Sequence, residues 1–109
     1  MSDHELLELA AKAAGIELEY CSTSGFHWVT SKYSGLWWDP LNVDGDAFRL
    51  AVNLNLCVEV NGMFVHADCR HRDNDIGYFE ENSARNDGCI LKATRRVITR
   101  AAAAISEHS

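Results

Sequence analysis

The feature that most constrains this chain is a dipeptide, Asn61-Gly62. It sits between two alternating apolar runs, Leu56-Cys-Val-Glu-Val60 and Met63-Phe-Val-His-Ala67. Asn-Gly is the preferred filling of a two-residue hairpin turn, because both turn positions require positive φ. With that turn, Val60 is expected to face Met63, Val58 to face Val65 and Leu56 to face Ala67. All six are apolar and share one face, so turn chemistry and hydrophobic alternation point to the same register. The opposite face is then expected to pair Cys57 with His66 and Glu59 with Phe64.

Helical spacing flanks this hairpin. Ser2 with Glu5 three residues on forms a capping-box signature, and Leu6, Leu9, Ala10 and Ala13 follow as one stripe ending at Gly15. Asp44 or Asp46 is expected to cap a second helix through Ala47, Leu50, Ala51 and Leu54 to about Asn55. A third helix is expected from near Asp87 to about Glu107. Its stripe is Ile90, Thr94, Val97, Ala101 and Ile105, widened by Ile98 and Ala102.

Period-two alternation over Ile16–Cys21 and the aromatic, β-branched run Phe26–Lys32 predict a hairpin turning at Ser22–Gly25. Leu36-Trp37-Trp38 is a short apolar piece ended by Asp39-Pro40. Asp68–Asn74 reads as a loop, Ile76–Glu80 as a short strand and Asn82–Gly88 as a polar connection. The order is α-β-β-(β)-α-β-β-β-α. The fold class is α+β in one domain: a mainly antiparallel sheet of about five strands with three helices packed on it.

Charge narrows the partners. The net charge is −6 over 109 residues, and residues 1–68 carry three basic against ten acidic residues. An acidic surface repels a phosphate backbone, so direct nucleic-acid binding is not expected. Lys92, Arg95, Arg96 and Arg100 cluster near the C-terminus. They suit either a solvated helix face or a local anion site, and the helix face needs less. No apolar run reaches the roughly 20 residues of a membrane span. The N-terminal residues show no signal-peptide pattern, and the cytosol is the expected location. Cys21, Cys57, Cys69 and Cys89 include no Cys-x-x-Cys pair and are expected to be reduced thiols.

Three segments together resemble a known group. They are Trp38-Asp-Pro-Leu-Asn-Val-Asp-Gly-Asp-Ala-Phe-Arg-Leu-Ala-Val52, Ala93-Thr-Arg-Arg-Val-Ile-Thr-Arg-Ala-Ala-Ala-Ala-Ile105 and Glu5-Leu-Leu-Glu-Leu-Ala-Ala-Lys-Ala-Ala-Gly15. In sequence and order they resemble small tailed-phage and prophage proteins of the phage "ABA sandwich" type. The chain departs from that pattern at Asp39, where Asn is usual, and at Asn42-Val43, where Thr-Asp is usual. The resemblance implies an α/β/α layered domain of phage origin in the bacterial cytoplasm. It implies no reaction.

Several constellations invite a chemical reading. The loop Asp39–Asp46 has three carboxylates and an Asn, which suits a hard cation in composition but not in EF-hand spacing. Stopping a strand and capping a helix explain the same residues. His66, Cys69 and His71, with Cys57 as a fourth ligand, are weak zinc candidates lacking paired-ligand spacing. Cys57 and His66, with Glu59 nearby, form at most a thiol–imidazole pair on a strand face. Trp37 and Trp38 point to opposite faces of an extended piece, one toward the core and one toward a surface or interface. Trp28 is expected in the core, and Arg49 is expected to pair with Asp46 or Asp44. Trp37, Trp38, Asp44, Asp46 and Arg49 are the candidate interface residues.

These readings favour a phage or prophage accessory protein that acts by binding a host or phage protein, without catalysis, cofactor or membrane. A homodimer is expected, because three helices leave sheet surface to cover. The alternative is an acidic counter-defence inhibitor of a host nucleic-acid-binding protein. A metal-dependent or cysteine enzyme is the third reading.

Overall fold

The computed structural model describes residues 2–21, 26–29, 38–71 and 74–107, with side chains over 2–18, 38–68 and 78–107. The elements in chain order are α1 (Asp3–Ala13), β1 (Leu18–Cys21), β2 (Phe26–Val29), α2 (Asp44–Asn53), β3 (Leu56–Asn61), β4 (Phe64–His71), β5 (Asn74–Asn82) and α3 (Ile90–Glu107). The chain is α+β, with three helices and an antiparallel sheet ordered β3-β4-β5. β1 and β2 pair with each other in a separate antiparallel ladder. The described strands therefore do not form one five-stranded sheet. Residues 30–37, where the rest of the second strand and the piece containing Leu36 and Trp37 were expected, lie outside the described residues.

α1 ends as its sequence requires. Ser2 Oγ accepts the Glu5 N–H at 3.2 Å. Gly15 (φ 73°) completes a Schellman stop: Gly15 N–H donates to Lys12 O and Ile16 N–H to Ala11 O. The helix buries Leu6, Leu7, Ala10 and Ala11, so its contact face is rotated toward Leu7 and Ala11 from the expected stripe.

The β3–β4 hairpin forms, two residues out of the expected register. Asn61 pairs with Phe64, Val60 with Val65, Val58 with Ala67 and Leu56 with Cys69. The turn residues are Gly62 and Met63, not Asn61 and Gly62. Gly62 (φ 63°) takes the first turn position, where a Gly-X turn needs left-handed backbone. A two-residue slip preserves side-chain parity, so the apolar face survives the change. The polar-face pairings do not: Cys57 lies opposite Asp68, Glu59 opposite His66 and Asn61 opposite Phe64.

β4 runs on to His71 and β5 begins at Asn74, so the expected loop over Asp68–Asn74 is instead largely ladder. Its register shifts between Asp68 and Arg70. Ladder hydrogen bonds outweigh the polar composition that suggested a loop. β5 is correspondingly longer than Ile76–Glu80.

α3 starts at Ile90, not near Asp87. Asp87 (φ 59°) and Gly88 (φ 72°) form a tight turn closed by Cys89 N–H donating to Asn86 O at 2.9 Å. Two successive left-handed residues cannot begin a helix. α3 buries Ala93, Val97, Ile98, Thr99, Ala101, Ala102, Ala103 and Ala104, more than one stripe. A helix apolar on most sides is an interior helix. α3 lies on β4 and β5 with one side and carries α1 on another, while α2 flanks it. The alanine run permits close approach on both sides.

One core joins these layers, from Leu7, Ala10 and Ala11 through Trp38, Leu41, Leu50 and Leu54 to Val65, Ala67, Val97 and Ala101. All three helices lie on the Val65–Ala67 side. Among the described residues the layers are sheet, α3 and α1, not helices on both faces of a sheet.

Candidate functional site

The Asp39–Asp46 loop turns its polar groups inward on itself. Asp39 Oδ1 accepts the Leu41 N–H at 3.1 Å, and Oδ2 accepts from Asn42 Nδ2 at 2.7 Å. Asp46 Oδ2 accepts the Asp39 N–H at 3.0 Å, while Oδ1 takes Arg49 Nη2 at 2.8 Å. Gly45 makes room for that ion pair, since a Cβ there would sit 3.3 Å from the Arg49 guanidinium nitrogens. Asp44 Oδ1 takes Arg95 Nη1 at 2.6 Å, and Arg95 Nε donates to Leu41 O at 2.9 Å. The α2 N-cap is Val43, without a side-chain cap. Asp44 and Asp46 instead occupy the first turn, where a carboxylate still favours the positive helix end. The loop carboxylates are engaged by protein donors, but neither Asp44 nor Asp46 is the expected helix cap. Trp38 is 7% exposed and belongs to the core, so it offers no interface; Trp37 lies outside the described residues.

The α3 cations behave similarly. Arg96 meets Asp3 at 3.1 Å, Lys92 pairs with Asp87, and Arg100 pairs with Glu81 while donating to Glu80 O at 3.1 Å. Arg100 also lies over the Phe79 ring, 5.5 Å from its centroid. Arg95, Arg96 and Arg100 each reach a different element. They join α2, α1 and β5 to α3 through carboxylate partners.

The helix-free face of the sheet presents Cys57, Glu59, Phe64, His66, Asp68, Tyr78 and Glu80. His66 Nε2 lies 3.3 Å from Glu80 Oε2, and its ring is 4.9 Å from the Tyr78 ring. Tyr78 donates to Glu80 Oε2 at 3.4 Å. Its phenol is held above the ordinary 10.0, first by desolvation and then by the Glu80 and Glu59 carboxylates. The expected Cys57–His66 pairing is not made, because the register places Asp68 across from Cys57. Among the described residues no group of three or more His, Cys, Asp or Glu is placed to hold a metal. Cys69 and His71 are located by backbone only, opposite Leu56 and Asn74.

The feature that stands open is apolar. A groove with a cavity of about 480 Å³ runs between α2, the first half of α3 and β3. Ala47, Phe48, Val52, Leu56, Leu91 and Ile98 line it together with the paired Asp44 and Arg95. Phe48 is 68% exposed, Val52 59% and Leu91 58%; Val60, beyond the lining toward the hairpin turn of β3, is 55% exposed. Covering such side chains contributes on the order of 1–2 kcal/mol each. Their clustering around one groove distinguishes them from apolar residues scattered singly over a surface.

Reading the sequence did not single out Phe48, Val52 or Leu91. The signal was present in α2, which holds Ala47, Phe48, Leu50, Ala51 and Val52 in six residues. One buried face needs fewer apolar positions than that. Compared with known proteins, the chain matches no family model, no curated protein and no solved structure.

Proposed function

We propose that the chain is a protein-binding module, not a catalyst, and that its working surface is the apolar groove between α2, α3 and β3. The carrying observation is the clustering of Phe48, Val52 and Leu91, each more than half exposed, around one cavity. The polar neighbours support this reading. Asp44, Asp46, Arg49 and Arg95 are spent on holding the loop and α2 to α3, which fixes the groove walls. The sequence resemblance suggests a phage or prophage accessory role in the bacterial cytosol, with a host or phage protein as partner; the sheet face that the three helices leave uncovered is what suggests a homodimer.

The test is affinity capture with the tagged chain and its Phe48→Asp variant. Phe48 is exposed, so the variant keeps its fold, checked by an unchanged thermal midpoint. A stoichiometric, identified partner (a second copy included) that the variant captures at least tenfold less supports the reading. Equal capture by both proteins contradicts it.

The second reading, an acidic inhibitor of a nucleic-acid-binding protein, draws on the helix-free sheet face, where Glu59, Asp68 and Glu80 accompany Phe64 and Tyr78. Partner binding that weakens steeply with salt favours this face, and salt-insensitive binding favours the groove.

A further inference from the structure

The two edges of the β3-β4-β5 sheet are unequal. β5 is blunted: its ladder with β4 has a register irregularity, it carries Glu80 and Glu81, and Arg100 donates to the Glu80 carbonyl. Such devices keep a sheet edge from pairing with another chain. Among the described residues β3 has none of them. Its ladder with β4 is regular, it contains no proline or lysine, and Glu59 is its one charge.

The direction of its free backbone groups follows from the turn. In a two-residue hairpin the closing pair, here Asn61 and Phe64, exchanges both hydrogen bonds. Asn61, Glu59 and Cys57 therefore bond to β4, and the N–H and C=O groups of Leu56, Val58 and Val60 face the edge that no described strand occupies. The same three residues turn their side chains toward the helix side, beside the groove. A main-chain edge and an apolar groove lying side by side fit a β-strand with its own apolar flank.

We propose that this occupant is a second copy of the chain, added antiparallel across β3 with the two-fold axis at Val58. The inference rests on the groove being the docking surface. β3 is self-complementary about that residue: Leu56 meets Val60 of the second copy, Val58 meets Val58, and all three pairs use the outward-facing backbone groups. On the other face Glu59 meets Cys57 of the second copy. A shift of the axis to Glu59 places two carboxylates directly opposite in a close pair, which is repulsive. Phe48, Val52, Val60 and Leu91 together expose on the order of 400 Å² of apolar side chain, about half of the roughly 800 Å² per partner in a standard interface. The β3 edge adds to that. The product is a six-stranded sheet with the two grooves closed against each other, an isologous interface.

The experiment is sedimentation equilibrium on the full chain, its Val60→Lys variant and its Glu59→Cys variant. The expected result is twice the chain mass for the wild type and at least 100-fold weaker self-association for Val60→Lys, whose site is exposed and leaves folding intact. Mild oxidation of Glu59→Cys is expected to give a covalent dimer through Cys57 of the second copy, at a spacing a disulfide accepts. That dimer is expected to disappear in Glu59→Cys/Cys57→Ala. A monomer at all concentrations, a dimer indifferent to Val60→Lys, or cross-linking that survives Cys57→Ala overturns the proposal. A monomer whose capture of a different protein is abolished by Phe48→Asp overturns the dimer alone and leaves the groove as the docking surface.

Discussion

Asp46 holds the backbone of Asp39: across seven residues, its Oδ2 accepts the Asp39 N–H at 3.0 Å. This contact fixes the entry of α2 and so one wall of the groove. The Asp46 side chain is only 12% exposed, whereas its ion-pair partner Arg49 is 67% exposed. Asp46→Ala leaves a part-buried N–H unpaired and is expected to cost about 1–3 kcal/mol. Arg49→Ala removes a solvent-screened pair and is expected to cost less than about 1 kcal/mol. Urea unfolding of both variants checks the order, and equal losses contradict it.

Ala101 is fully buried in α3, within the core that joins the helices to Val65 and Ala67. Ala101→Leu is expected to overpack this core and cost about 1–3 kcal/mol. A thermal midpoint equal to that of the wild type would show a looser interior than the structure has.

Ala101 also shows where the sequence was legible. Local chemistry was readable: the Ser2 cap, the Gly15 stop and the apolar parity of β3 and β4 follow from neighbours in the chain. The hairpin slip was not, because Asn61-Gly62 and Gly62-Met63 both make turns of allowed chemistry and give the same apolar face. α3 looked one-sided because alanine weighs little in a hydrophobic stripe, yet Ala101–Ala104 are what let the helix sit between sheet and α1. The carboxylates of the Asp39–Asp46 loop were recognised, but Arg95, 51 residues beyond Asp44, was not visible as their partner. The groove was the least legible feature, since it exists only where α2, α3 and β3 meet.

Asp87 sits in the turn before α3 and pairs with Lys92. The hydrogen bond and charge of Lys92 hold its carboxyl below the usual 3.8. A depressed folded-state pKa stabilises the fold above the unfolded value, and this is lost as pH falls through the folded value. The denaturation midpoint of the wild type is therefore expected to exceed that of Asp87→Asn near neutrality. The two should converge as pH falls below 3.8. A difference that persists unchanged at low pH contradicts the pairing.

Tyr78 is expected to ionise above 10.0, and Glu80→Gln is expected to lower that midpoint by removing a repelling charge while desolvation remains. Ultraviolet titration checks this, with Tyr78→Phe subtracted to isolate the one phenol. A midpoint that Glu80→Gln leaves in place contradicts the geometry of the sheet face.

The most direct measurement of the central claim is hydroxyl-radical footprinting of the full chain, free at high dilution and then associated. The groove account predicts that Phe48, Val52 and Leu91 lose reactivity on association while Phe64 and Tyr78 on the far sheet face keep theirs. Protection of Phe64 and Tyr78 with Phe48 and Leu91 still reactive would contradict it and move the working surface to the acidic face of the sheet.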